Sequence, residues 1–276
     1  MSCLTHRSRV FLAERQPLPF ALVVLVCVLV VPVLGAQESA GEAAVEANNP
    51  LADIVAFNVQ NYYIPEVSGV EGAKANNFWL RYAQPFGKWL FRGSLPVSGV
   101  STPANSTSGL GDFNAFLAYL FDTGNPGLAV GAGPLLVAPT ATEDATGSGK
   151  WQGGLAGVLF NGTNPTFQWG GLLTYQTDFA GDDERADTSL MVAQPFYFWQ
   201  LGKGLYVRGA PLWVFNLERN TYHIPIGLGL GKVMPMGRTV FNFFIEPQFT
   251  VLDRGVGQPE FQIYMAVNMQ FLGKKK

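Results

Sequence analysis

The chain has 276 residues, of which 14 % are charged and 48 % hydrophobic, with 32 glycines and a net charge of −2. So little charge beside so much apolar side chain is poor for a soluble surface, since soluble domains carry about a quarter of their residues charged. The near-neutral balance, with no basic stripe apart from Lys274-Lys275-Lys276, argues against a dedicated nucleic-acid binder.

In chain order, Arg7, Arg9 and Arg15 precede the apolar run "FALVVLVCVLVVPVLG" (20–35), and Ala36 with a polar stretch follows. A positive start, an apolar stretch of about 15 residues and a small-residue exit read as a secretory signal peptide, residues 1–36, removed after export. The run is short for a spanning helix and Pro32 interrupts it. Both cysteines, Cys3 and Cys27, lie in the removed part, so the mature chain is expected to have no disulfide framework and no thiol chemistry. Residues 37–50, "QESAGEAAVEANNP", are small and polar and read as a flexible periplasmic lead-in.

From residue 51 to 272 the chain breaks into apolar or alternating segments separated by Gly, Pro, Asn and Asp. Twelve strands are predicted, over 52–63, 76–86, 89–98, 111–121, 127–138, 150–161, 166–176, 187–197, 204–214, 221–231, 238–249 and 260–271, with residues 273–276 left as a basic tail. They exceed the five or six residues common in soluble strands and match the ~9–11 that a tilted strand needs to cross a bilayer. The connections alternate long and short: 64–75, then 87–88, then 99–110, then 122–126, and so on, with only 216–220 shorter than that parity wants. Long outer loops alternating with tight periplasmic turns are the habit of transmembrane barrels.

Side-chain alternation supports the same reading. In the last strand Phe261, Ile263, Met265, Val267, Met269 and Phe271 share one face, expected toward lipid, while Gln262, Asn268 and Gln270 face the lumen. In the tenth, Tyr222, Ile224, Ile226, Leu228 and Leu230 oppose His223, Pro225 and three glycines. Aromatic residues gather near strand ends, among them Trp89, Trp151, Trp199 and Trp213, as interfacial girdles do. "AQPF" at 83–86 returns at 193–196, each followed by Arg-Gly in the next strand, a hint of duplicated halves. The expected fold is therefore all-β: a single antiparallel up-and-down transmembrane barrel of about twelve strands.

Catalytic chemistry is sparse. The mature chain keeps one histidine, His223, on a predicted lumen face, and no Gly-x-Ser-x-Gly or phosphate-binding loop appears in the right context. No catalytic residue, metal or cofactor is expected, and the chain is not read as an enzyme. The acidic stretch Asp182-Asp183-Glu184 with Asp187 lacks the ligand spacing of a calcium loop and reads as solvated. The inward ionisable residues Arg81, Arg92, Arg208 and Glu246 are the candidate lumen site, accompanied by Trp79, Tyr206, His223 and Tyr264. Such charges either tune a pore or pair across it and close it. Three arginines against one glutamate favour anionic solutes if the lumen is open, and the aromatic lining suits a solute with an apolar body and a polar end.

"SGLGDF" (108–113) opens the fourth strand after a long loop, and "VAPTATEDATGSGKW" (137–151) runs into the sixth. With the twelve-strand meander, these segments make the chain resemble the outer-membrane transporters of the "MetA-pathway of phenol degradation" type. That resemblance implies an outer-membrane barrel of a Gram-negative-type envelope, placed by the insertion machinery among outer-membrane lipid and admitting aromatic or other hydrophobic small molecules. The chain departs from the usual barrel ending, because Phe271 is followed by "LGKKK". Two functions are carried forward: passive uptake of small, partly hydrophobic or aromatic molecules, and a plugged structural or interaction barrel whose outer loops bind a partner.

Overall fold

The computed structural model describes residues 45–272; the signal segment, most of the lead-in and the basic tail lie outside them. The strands are β1 (Val55–Val67), β2 (Lys74–Phe86), β3 (Trp89–Ser101), β4 (Ser106–Leu110 and Phe113–Phe121), β5 (Leu128–Ala138) and β6 (Lys150–Asn161). They continue as β7 (Phe167–Gly181), β8 (Ser189–Gly202), β9 (Leu205–Gly209 and Trp213–Asn216), β10 (Thr221–Gly227 and Gly229–Met236), β11 (Thr239–Arg254) and β12 (Pro259–Phe271). Three of the twelve are interrupted once. Every strand pairs antiparallel with its chain neighbour, and β12 closes on β1 from Val55↔Phe271 to Val67↔Pro259, giving a closed antiparallel barrel of twelve strands.

The two ends differ in the direction the connections suggested, but most rim loops are shorter than expected. At the end where β1 begins and β12 finishes, here the base, three turns span only 87–88, 203–204 and 237–238, with Gly87, Gly204 and Gly237 at positive φ, and two longer ones span 122–127 and 162–166. At the opposite end, the rim, part of what was expected as long loop is strand overhang. β7 runs to Gly181 and β11 to Arg254, and β3 pairs with the first piece of β4 beyond the point where the fourth strand was expected to start. Alternating apolar spacing marks only the part of a strand that meets a greasy phase, so polar overhangs stay invisible to it.

Burial is inverted relative to a soluble protein. Leu155, Leu173, Ile226, Leu228 and Leu230 are more than half exposed on the outer wall, while Gln168, Glu246 and Gln248 are fully buried inside. Aromatic residues ring the apolar band: Phe86, Trp89, Phe121, Phe167, Trp169 and Trp199 near the base, and Phe113, Trp151, Tyr175 and Phe249 toward the rim. A wall of this kind suits a hydrocarbon layer with headgroup regions above and below it. Met265 is the exception on the β12 outer face, buried among its neighbours beside the outward Asn61.

At the rim, the two segments "SGLGDF" and "VAPTATEDATGSGKW" lock onto each other. Asp112 breaks β4 and its carboxylate accepts from Ala141 N (3.2 Å), Ser148 N (2.7 Å) and Ser148 Oγ (2.7 Å). Thr140 and Thr142 hydroxyls accept from Phe113 N and Leu110 N. Lys150 then pairs with Asp187 and, at 3.5 Å, with Asp178, tying β6 to β7 and the loop after it. Asp187 is thus an ion-pair partner rather than simply solvated.

The wall loses its ladder where β8, β9 and β10 run side by side. Pro195, Pro211 and Pro225 supply no N–H there, and β9 and β10 are both broken. Buried backbone groups still need partners, and side chains provide them. Ala210 N donates to Glu246 Oε1 (2.8 Å), and Ala210 O accepts from Gln194 Nε2 (3.1 Å). Trp213 Nε1 donates to Pro225 O (3.1 Å), and the Tyr197 hydroxyl donates to Gly227 O (3.1 Å).

Candidate functional site in the barrel lumen

The lumen is packed rather than open. Residues 45–54 do not join the wall; part of this segment runs inside the barrel, with Asn48, Leu51 and Ala52 buried. Gln168 Nε2 donates to Val45 O (3.3 Å), and Asn242 Nδ2 donates to Asn48 Oδ1 (3.0 Å) and Ala47 O (3.4 Å). Leu51 packs with Leu90 of β3 and Val158 of β6. Leu51 N donates to Asn49 Oδ1 (2.9 Å), a local turn that seats the leucine in the lumen. The described part of the expected flexible lead-in is therefore held in place, and residues 51–54, expected in the wall, belong to the same insertion. Fixed hydrogen bonds from two barrel strands replace the freedom that small polar residues suggested.

The wall facing this segment is built by alternation. β9 sends in Tyr206 and Arg208, β11 sends in Asn242, Phe244, Glu246 and Gln248, and β12 sends in Gln262 and Tyr264. Arg208 Nε pairs with Glu246 Oε2 at 2.7 Å, both side chains being almost wholly buried. The Arg208 guanidinium lies 3.4 Å from the centre of the Phe244 ring. Gln248 donates to Glu246 (2.7 Å) and Gln262 donates to Gln248 (2.6 Å), completing a satisfied polar chain. Tyr264 stacks on Tyr62 of β1 with centroids 4.2 Å apart and takes the edge of Phe244 at 4.8 Å. The Tyr206 hydroxyl donates to Asn242 Oδ1, so the residue that grips Asn48 is itself fixed. Gly231 stands opposite Tyr206, where a Cβ would lie 2.1 Å from the ring, and this absence of a side chain makes room for the tyrosine.

Between the wall and the inserted segment remains a cavity of about 150 Å³. Arg81, Arg92, Arg208 and Tyr264 line it, as do the polar Asn58, Gln60, Asn268 and Gln270 and the apolar Leu90, Phe116, Val158 and Leu172. Arg81 donates through Nη1 to Gln60 Oε1 and sits 4.9 Å from the Trp79 ring centre. Arg92 lies 4.7 Å from the ring centre of Phe116, its cross-strand neighbour.

Of the sequence-predicted residues, Arg81, Arg92, Arg208 and Tyr264 come together on the cavity. Glu246, Tyr206 and Trp79 pack behind it: Glu246 against Arg208, Tyr206 against Phe198 and Asn242, Trp79 beside the Tyr62–Tyr264 cluster. His223 is buried away from the cavity, paired in the ladders with Val214 and Asp253, and its Nδ1 has no hydrogen-bond partner among the described residues. Sequence reasoning missed Asn48, Leu51 and Ala52. The Asn-Asn-Pro-Leu stretch carries a turn signal, but a short inserted segment has no periodicity to announce it.

No protein-family model matches the sequence, and no curated protein is similar to it at a significant level. Similarity to solved structures is clear. The COG4313 outer-membrane channel from Pseudomonas putida F1 matches with a TM-score of 0.57 and 14 % identity, over 80 % of this chain and 97 % of that one. The NanC porin matches with a TM-score of 0.50 and 11 % identity, over 78 % of this chain and 98 % of that one. At such identities the likeness is one of fold: the chain has the barrel architecture of outer-membrane channels.

Proposed function

We propose that the chain is an outer-membrane protein that lets small, partly hydrophobic or aromatic molecules pass by passive uptake. The observation that carries this reading is the lumenal cavity: about 150 Å³, half lined by apolar and aromatic side chains and half by arginines and amides, inside a wall whose outer surface is apolar. The resemblance to transporters of the "MetA-pathway of phenol degradation" type agrees with it, as does the likeness to an outer-membrane channel. In this reading residues 1–36 direct export, the insertion machinery places the barrel, the base faces the periplasm and the rim faces outward. Lumenal side chains position and pass a solute, and none is assigned a catalytic role.

A specific observation favours a second reading, the plugged barrel. The segment containing Asn48, Leu51 and Ala52 occupies the lumen and is hydrogen-bonded to β7 and β11. Single-channel conductance in a planar bilayer separates the two. The mature chain is expected to give small, infrequent openings, and a variant lacking residues 37–54 larger and steadier ones. Flat traces from both, with heat-modifiable migration showing an intact barrel, would sink the channel and leave the interaction barrel.

A further inference from the structure

We infer that Arg81 and Arg92 form a binding site for a small aromatic monocarboxylate, the carboxylate set between the two guanidinium groups and the ring against Phe116, Leu90 and Val158. The inference rests on the channel reading above and gives it a solute class.

Among the described residues, the ion pairs are Arg208–Glu246, Lys150 with Asp178 and Asp187, and Arg185–Asp144. Neither Arg81 nor Arg92 takes part. The lumen's one carboxylate near them, Glu246, is committed to Arg208, Ala210 N and Gln248. The acids of the inserted segment, Glu46 and Asp53, are exposed and form no ion pair with the arginines. Among the described residues, two cations therefore stand in the lumen with no anion paired to them.

Geometry makes the imbalance sharper. Arg92 pairs with Ala83 across the β2–β3 ladder, two residues from Arg81, so the two arginines are diagonal neighbours on the same face. They repel one another. Arg81 is nine-tenths buried, and the Nε atoms of both arginines are buried with no hydrogen-bond partner. Arg92 makes no hydrogen bond at all among the described residues; the ring of Phe116 is its neighbour. Native interiors satisfy buried polar groups, and an unpaired buried cation is costly unless something completes it. A carboxylate does so most economically, because its two oxygens match the donor fork of a guanidinium.

The cavity selects what the carboxylate is attached to. Beside the arginines lie Phe116, Leu90, Val158 and Leu172, with no donor or acceptor on their side chains. At about 150 Å³ the space resembles in size an apolar cavity known to admit benzene. One ring with one carboxylate fits this division between charged and apolar lining, and an oligosaccharide does not.

The test uses the full mature chain in detergent, with benzoate as probe and benzamide as its neutral counterpart, followed by calorimetry. Benzoate is expected to bind at least tenfold more tightly than benzamide. Arg92→Met is expected to abolish that preference while leaving benzamide unchanged, and Arg92→Lys to keep part of it. Heat-modifiable migration checks that each variant is a barrel, and the comparison of the two probes on the unaltered protein stands even if a variant does not fold. Equal binding of benzoate and benzamide to the unaltered protein overturns the inference, as does an undiminished preference in a folded Arg92→Met barrel. Conductance separates this outcome from the fate of the channel reading. A conducting barrel without benzoate preference loses only the carboxylate site, whereas a silent barrel that still prefers benzoate keeps the site and loses the channel.

Discussion

Replacing Glu246 by leucine removes the one acid that balances Arg208, at a place where the two side chains are 0 % and 5 % exposed. Removing one partner of a buried pair strands the other, at a cost of about 3–5 kcal/mol. Glu246 also accepts from Ala210 N, whose strand is broken at that point and offers no alternative acceptor, and an orphaned buried N–H adds about 1–3 kcal/mol. Arg208→Met leaves Glu246 with Ala210 N and Gln248 Nε2 as donors, so its cost should fall at the low end of the first range. In the double variant no stranded charge remains, and it should be more stable than Glu246→Leu alone, with a coupling of about 2 kcal/mol or more between the sites. Urea unfolding in lipid vesicles, followed by tryptophan fluorescence and heat-modifiable migration, measures all four proteins. Additive single-variant effects, or a Glu246→Leu barrel as stable as the parent, would refute the reasoning that the pair holds the interrupted wall.

Other perturbations probe other layers of the same structure. Gly231→Ala places a methyl group against the Tyr206 ring, which is fully buried and tied to Asn242, and should cost about 1–3 kcal/mol, relieved in part by Tyr206→Leu. Asn242→Ala removes the grip on Asn48 and Ala47, so open-channel conductance should rise toward that of the variant without residues 37–54; an unchanged trace would show that Gln168 and the packing of Leu51 suffice to hold the segment. Leu155→Lys, on the outer wall and 66 % exposed, should cost about 2–4 kcal/mol in vesicles if it lies at mid-bilayer depth, and far less in water-rich detergent mixtures. Equal effects in both media would contradict a lipid-facing Leu155.

The barrel was legible because the solvent reads each strand twice, once from each side. Ile226, Leu228 and Leu230 keep their outward alternation even across the break at Leu228, since the facing medium selects residue type whether or not the ladder is intact. The breaks themselves were hidden: Pro211 and Pro225 signal a missing N–H, but not that Trp213, Tyr197 and Glu246 supply the lost hydrogen bonds from neighbouring strands. The lumen residues were found by parity, which gives a direction and no partners. Parity places Arg81, Arg92 and Arg208 alike, whereas packing divides them, because Glu246 lies on the strand that reaches Arg208 and not on β1, β2 or β3.

That division bears on how a narrow barrel can be both stable and selective. Arg208 is neutralised and built into the wall, with Phe244 beneath it and Glu246 beside it. Arg81 and Arg92 retain their charge on the other side of the lumen, supported by the rings of Trp79 and Phe116 and one amide. On the inference drawn above, the wall's integrity depends on one arginine and the cavity's preference on two others. Changes at Arg92 should therefore alter what binds without weakening the barrel, because they remove an unpaired buried cation, whereas changes at Arg208 should lower stability and leave the binding preference in place. A shift of unfolding in Arg92→Met as large as that in Arg208→Met would show that the two kinds of arginine do the same work.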